Sequence, residues 1–309
     1  MNGKIFNKKI WMNIVAGCVA IAPMATTLHG GMWDSVKNVF IPQEKPKPPT
    51  IKVLVVHDVD GVLLEVKGKY NIIDPYKNER LGTRFVGKSN LIQALTGGLK
   101  WGEEFPGVYQ IEILPDNNTV TTVIDGIEYK GNVFIYDIGG SISIVNEVDI
   151  EDFLSSTLAL QFDKALSKEA MAAAAIAART DAYHKATTAS NLYWHVEANK
   201  VGYLGNGVAH RPNGVDDALA ATRYMVMSKT SKYEGDVTPF PVNVATADRV
   251  TGFSPEEADK SAQKGENAAK ILAKKFPNTS IELIHNVPGK KEIAEETTPE
   301  ARNNSKAAQ

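Results

Sequence analysis

The stretch VDIEDFLSSTLALQFDKALSKEAMAAAAIAARTDAY, Val148 to Tyr183, decides how this chain is read. A strand-like segment runs into two helical segments. Asp149 is placed to cap the first helix, whose opening turn carries Glu151 and Asp152 at the positive end of the helix dipole. The second starts near Ser167, runs to about Thr188 and is almost solid alanine from Met171 to Ala178 before Arg179. Side chains this small let neighbouring backbones approach from every side. An arginine among them must leave by an exposed edge or bury its charge against a partner, for which Glu151 is the candidate. Arg179 is therefore a candidate for orienting a ligand, and equally for a structural ion pair that pins two helices.

Upstream the pattern is β. Lys52–Val56, Val62–Lys67, Tyr109–Leu114, Val120–Ile124, Asn132–Tyr136 and Ser141–Val145 are short apolar or alternating runs separated by turn residues. Asp125-Gly126 between Val120–Ile124 and Ile127–Tyr129 is a specific hairpin signal. Ser89–Leu99 reads as a short helix, an inserted helical segment near 86–107. Downstream, Tyr193 to Ala245 alternates short strand-like pieces with loops. A last helix then opens on Ser254, Pro255, Glu256 and Glu257, breaks at Gly265, resumes through Ile271 and Leu272 and stops at Pro277. The expected class is α+β, with mostly antiparallel strands in the N-terminal half packed with an alanine-rich helix pair and a C-terminal helix.

The chain has 309 residues and a formal net charge of −2, with charges of alternating sign, so it offers no basic stripe for nucleic acid. Lys4, Lys8 and Lys9 precede an apolar run, Ile10 to Leu28, interrupted by Asn13 and Pro23. The single cysteine, Cys18, follows Val15, Ala16 and Gly17, small residues of the kind a lipoprotein signal peptidase accepts. Residues 1–28 are thus a lipoprotein leader with Cys18 lipidated, an ordinary cleaved signal, or an uncleaved anchor. Each places the rest outside the cytoplasm, attached through the N-terminus to a membrane in the first and third cases. Residues 29–50 form a Pro/Lys-rich tether ending in Gln43 to Thr50, 51–286 the folded body and 287–309 a disordered tail. One cysteine excludes a disulfide framework and a thiolate zinc cluster.

The segment Val53 to Val62, VLVVHDVDGV, imitates an aspartyl phosphatase loop, in which Asp58 and Asp60 would hold magnesium while one attacks phosphorus. That chemistry needs a helix after the loop and a parallel sheet, whereas Leu63 to Tyr70 reads as a strand and turn. A hairpin with both aspartates facing solvent is the plainer reading. Asp216-Asp217 would be the downstream acidic pair of such a site.

A second set of motifs recurs in order. Tyr129-Lys130-Gly131 leads into a strand; Ile144-Val145-Asn146-Glu147-Val148 into Asp149-Ile150-Glu151-Asp152-Phe153-Leu154; and Ala177-Ala178-Arg179-Thr180 closes the alanine helix. Val201-Gly202-Tyr203-Leu204-Gly205 and the run from Gly252-Phe253-Ser254 through Ala258, Ala262, Gly265 and Ile271-Leu272 to Phe276-Pro277 complete it. The chain thereby resembles the stage II sporulation protein D family, which includes the LytB-type amidase enhancers, over roughly Lys52 to Ile284. The resemblance implies an envelope protein acting on peptidoglycan in wall remodelling or division. Active members are lytic transglycosylases that prefer strands stripped of peptide stems, and others stimulate an amidase partner. Their chemistry is single-carboxylate acid/base catalysis, in which a protonated glutamic acid donates to the glycosidic oxygen.

Counted from Glu151 without gaps, the catalytic glutamate of the family falls on Gln161, and an amide cannot release a proton to a leaving oxygen. Asp163, Glu151 and Glu169 are the carboxylates nearest in sequence to replace it. The Cys/His positions that some members use for zinc are absent, and His57, His184, His195 and His210 show no metal spacing, so neither metal nor cofactor is expected. Arg179, Tyr183 and Tyr203 are the candidate substrate-binding residues, with Tyr129 and Trp194 as further flat faces for sugar rings. The expectation is a glycan-strand binding module with weakened or lost lytic activity. The alternatives are a transglycosylase using another carboxylate and, more remotely, the magnesium phosphatase.

Overall fold

The computed structural model describes residues 48–162, 165–208, 213–229, 237–244 and 252–284. Up to Asp149 they are almost wholly strand, as alternating β-branched and aromatic residues favour. In chain order come β1 (Thr50–Val59), β2 (Gly61–Lys67), β3 (Tyr70–Asp74), β4 (Glu79–Arg84), β5 (Asn90–Leu95) and β6 (Gly98–Trp101). Next are β7 (Glu103–Pro106), β8 (Gln110–Pro115), β9 (Thr121–Ile124), β10 (Ile127–Tyr129), β11 (Asn132–Ile138) and β12 (Ser141–Asp149). Later, β13 (Val196–Glu197) joins the edge of a seven-stranded sheet ordered β13-β1-β12-β11-β8-β3-β4. A six-stranded sheet has the order β10-β9-β2-β5-β6-β7. The sheets share one core, to which β1 gives Ile51 and Val53, β2 gives Leu64 and Val66, and β12 gives Ile142 and Ile144. Alternation puts Leu54, Phe134, Tyr136 and Val145 on the other face of the larger sheet, in a small cluster that Trp194 covers.

All six expected strand segments are present, and Asp125 (φ 46°) and Gly126 (φ 81°) make the left-handed turn of the β9–β10 hairpin. Residues 86–107, however, carry β5, β6 and β7 and no helix. Leu91, Leu95 and Leu99 fall at helical spacing, but β2 needs partners for its second row of backbone groups, and β5 supplies them from Gly61↔Gln93 to Leu64↔Asn90. Gly98 (φ 139°) makes the next reversal possible, since a Cβ there would lie 2.2 Å from the Phe105 carbonyl oxygen.

Among the described residues the phosphatase topology is absent. The centre of β1 runs antiparallel to β12, with Lys52↔Glu147 and Leu54↔Val145, and parallel only to the two residues of β13. The expected β1–β2 hairpin is a corner between two sheets, with Asp58 (φ 55°) and Asp60 exposed. The next element is a strand, β2, where the phosphatase loop requires a helix.

After Asp149 the chain turns helical: α1 (Ile150–Gln161), α2 (Lys168–Thr188), α3 (Ala198–Val201), α4 (Val215–Ala221), α5 (Pro255–Gln263) and α6 (Ala268–Lys275). Asp149 caps α1 by accepting from the Glu151 amide at 2.8 Å. Ser254 caps α5 by accepting from Glu257 N at 3.3 Å. Ser167 occupies the cap position of α2 without a side-chain cap bond, and its own amide donates to Asp259 at 2.7 Å. The alanine helix is buried from Ala173 through Ala178, as side chains that small permit. β14 (Met225–Lys229) pairs with β15 (Thr279–Leu283), a strand that follows the expected helix stop at Pro277. The expectation for 193–245 changes: α3 and α4 stand where strand-like pieces and loops were read, and Val201–Gly205 is the end of α3, a left-handed Gly202 and the start of a 3-10 turn.

The leader with Cys18, the tether up to residue 47, Asp163, His210 and the tail 287–309 lie outside the described residues. Among the described residues, no helix is long and apolar enough to cross a membrane.

Candidate functional site

Arg179 is fully buried, 0% exposed, against a Glu151 side chain that is 15% exposed. The pair is bidentate: Nε donates to Glu151 Oε1 and Nη2 to Oε2, both at 2.8 Å. Nη1 donates to the Met225 carbonyl at 3.0 Å and to Thr222 Oγ1 at 3.3 Å, and Nη2 reaches the Leu219 carbonyl at 3.4 Å. Glu151 Oε1 also accepts from the Tyr224 amide at 3.2 Å. This answers the question left open by the sequence: the guanidinium ties α1 and α2 to the α4–β14 turn and has no face left for a saccharide. Glu151 is equally committed, which removes it as a replacement acid.

The two residues after Arg179 continue the stitching. Thr180 Oγ1 accepts from the Met227 amide at 2.8 Å, and Asp181 Oδ1 from the Val242 amide at 3.0 Å. One turn of α2 thus satisfies backbone groups of β14 and of the segment 237–244.

The other motifs meet at Asn146. Its Nδ2 donates to the carbonyls of Lys130 at 2.7 Å and Asn132 at 3.1 Å, while its Oδ1 accepts from Tyr203 Oη at 2.7 Å. Tyr203 packs between Tyr129 at 5.9 Å and Phe153 at 5.5 Å between ring centroids. Burial pushes the Tyr129 phenol up to about 12 and raises that of Tyr203, so both stay protonated. Gly131 (φ 82°) and Gly205 (φ 66°) allow the close approach: a Cβ would lie 2.2 Å from Glu147 O and 2.4 Å from Glu128 O. Tyr129, Tyr183 and Tyr203 are 4%, 4% and 3% exposed, so three expected sugar platforms are core residues. Trp194 is half-buried beside His57, 5.6 Å between ring centroids.

Gln161 stands apart from these. It is the last residue of α1, exposed, in the wall of a groove of about 450 Å³. α1 contributes Thr157 and Gln161, α2 Asp181 and Lys185, α3 Lys200, and the opposing wall is Pro241–Val244. Lys185 Nζ sits 2.6 Å from Asp181 Oδ2 and Lys200 Nζ 2.7 Å from Glu197, so the two lysines that line the groove are each paired with a carboxylate. Asp181 is the one carboxylate among the described lining residues, and both its oxygens are engaged. Sequence reading passed over Asp181, Lys185 and Lys200. The i,i+4 spacing of Asp181 and Lys185 on the motif helix was the available signal. Among the described residues, no three His, Cys, Asp or Glu side chains are grouped to hold a metal.

The family described as Stage II sporulation protein (SpoIID) matches residues 139–228, which run from the β11–β12 turn to β14 and include α1, Gln161 and Arg179. An uncharacterized protein of Chlamydia pneumoniae is 31% identical over 278 residues, 89% of this chain and 95% of its own length. One from Chlamydia muridarum is 32% identical over 238 residues, 76% of this chain and 78% of the relative. One from Brachyspira hyodysenteriae is 31% identical over 188 residues, covering 57% of this chain and 48% of the relative. No solved structure matches the chain significantly.

Proposed function

The chain belongs to the SpoIID family of cell-wall-related proteins, as a divergent member, and from that premise we propose that its α1–α2 groove binds peptidoglycan glycan strands while cleaving them poorly or not at all. The observation that carries this reading is the exposed amide of Gln161 in the groove, at the position where the family resemblance puts a proton-donating glutamate. An amide offers donors and an acceptor to sugar hydroxyls and N-acetyl groups but no proton to a leaving oxygen. Loss of general acid catalysis removes a factor of about 100 to 10,000 while leaving binding in place. Asn243 adds a polar side chain to the groove wall, and Lys185 and Lys200, paired with Asp181 and Glu197, bring ammonium donors for the hydroxyls and carboxylates of stem-free glycan. A lytic reading needs a carboxyl group facing the bond; Glu151 is tied to Arg179, and Asp181 holds Lys185 and Val242 N.

In this reading the chain works in wall remodelling or division, held by its N-terminus at the outer face of a membrane, alone or beside an amidase. Retention of the purified full chain on sacculi tests it. The expected result is stronger retention on peptide-stripped than on intact sacculi, reduced several-fold by Lys200→Glu. Retention on neither would remove the proposal.

A further inference from the structure

A second cleft, of about 590 Å³, shares no lining residue with the Gln161 groove. Its size lies in the range of small-ligand sites, about 300–1,000 Å³. Four tyrosines line it from four separate places: Tyr76 in the β3–β4 turn, Tyr109 before β8, Tyr136 at the end of β11, and Tyr193 in the loop that leads to β13. Tyr76, Tyr109 and Tyr193 are 83%, 51% and 48% exposed, a large aromatic surface to leave in water.

The backbone that carries the exposed rings is fixed by local hydrogen bonds. Asp74, 3% exposed, accepts from Tyr76 N at 2.9 Å and Lys77 N at 3.2 Å, which fixes the turn that presents Tyr76. The Tyr109 carbonyl accepts from Asp137 N at 2.8 Å. Asn191 Oδ1 accepts from Tyr193 N at 2.8 Å and Trp194 N at 3.3 Å, and the Tyr193 ring meets Tyr136 edge-on with centroids 5.0 Å apart. The backbone positions of the cleft are therefore fixed, and Tyr136 and Tyr193 also brace each other's rings, which lowers the ordering cost for a ligand.

Flat ring faces bordered by the Gln110 amide, the Asp137 carboxylate and phenol hydroxyls suit a pyranose, whose C–H face is apolar and whose rim is polar. An isolated ammonium head group would fill only a small part of the space, and Lys77, 3.7 Å from Asp74 Oδ2, already offsets that carboxylate. We propose that this tyrosine cleft is a second saccharide subsite, which holds sugar rings of a glycan chain independently of the Gln161 groove. The proposal rests on the glycan-binding reading above.

The test uses the full chain, an N-acetylglucosamine oligosaccharide as soluble probe, and peptide-stripped sacculi. Tyr76→Ala and Tyr109→Ala remove exposed rings, and their circular dichroism is expected to match the wild type. Each is expected to weaken oligosaccharide binding about fivefold, the scale of one lost aromatic contact. Lys200→Glu is the control for the groove and is read on sacculus retention, which it is expected to lower several-fold. Oligosaccharide binding unaffected by either tyrosine change, with sacculus retention still sensitive to Lys200→Glu, would overturn the cleft and spare the groove. Oligosaccharide binding weakened by the tyrosine changes, together with sacculus retention insensitive to Lys200→Glu, would uphold the cleft and overturn the groove. Wild-type chain that binds neither probe would overturn both.

Discussion

Arg179 and Gln161 sit on adjoining helices and do opposite things with their polar groups. The guanidinium directs its donors to Glu151, Thr222, Met225 and Leu219, and so works entirely inside the fold. Removing one member of such a pair strands the other charge, so Arg179→Ala and Glu151→Gln are each expected to destabilise the chain by about 3–5 kcal/mol. Denaturant unfolding of each variant checks this, and a loss below about 1 kcal/mol would contradict a buried, fully committed pair. That Arg179 needs a partner, and that Glu151 is one, is legible from an arginine in an alanine run. That the pair is structural is not legible, because the deciding acceptors at Leu219 and Met225 lie some forty residues away in sequence. For Gln161 the reverse holds. Its spacing from Glu151 marks the position, but the groove wall at Pro241–Val244 comes from a segment with no pattern of its own.

Elements with caps and turn residues of their own were readable: Asp149 before α1, Ser254-Pro255 before α5, Asp125-Gly126 between β9 and β10. Elements that exist because a neighbour needed backbone partners were not, as with β5–β7 against β2 and β15 against β14. Two titrating groups bind elements together with opposite pH dependence. His195 Nδ1 accepts from the Lys52 amide at 3.1 Å and ties β13 to β1; burial, with the Lys52 charge, lowers its pKa to about 4. Unfolded histidine titrates near about 6.5, so the unfolded chain takes the proton first, and this contribution is lost as pH falls from about 6.5 towards 4. Asp149 is raised to about 6 by burial and by Asp152 and Glu151, against the cap bond from Glu151 N and the charge of Arg223. Its unfolded value is near about 3.9, so the folded chain takes the proton first and gains stability as pH falls from about 6 to 4. The two partly cancel in wild type. Asp149→Asn keeps the cap and removes the second effect, so its melting temperature is expected to fall more steeply than wild type between pH 6 and 4. Parallel curves would contradict the assignment.

At the scale of the molecule, two antiparallel sheets back one core and a helical layer around α2 carries the groove at its surface. The motifs that carry the family resemblance, around Asn146, Gly131, Gly205, Tyr203 and Arg179, hold this frame together through buried contacts, while Phe153, Leu154, Ala178 and Val201 from the same motifs reach the groove wall. The proposed loss of the proton donor at Gln161 is compatible with every one of those contacts, because none of their hydrogen bonds involves Gln161. The α+β class and its antiparallel N-terminal half were legible from alternation alone, while the division into two sheets was not, since the corner at Asp58–Gly61 reads locally as a hairpin. The measurement that bears most directly on the central claim is a muropeptide digest of peptide-stripped sacculi with wild-type chain and with Gln161→Glu. No anhydro-muramyl ends above background are expected with wild type, and they are expected to appear with Gln161→Glu. Anhydro-muramyl ends released by the wild-type chain would contradict that claim.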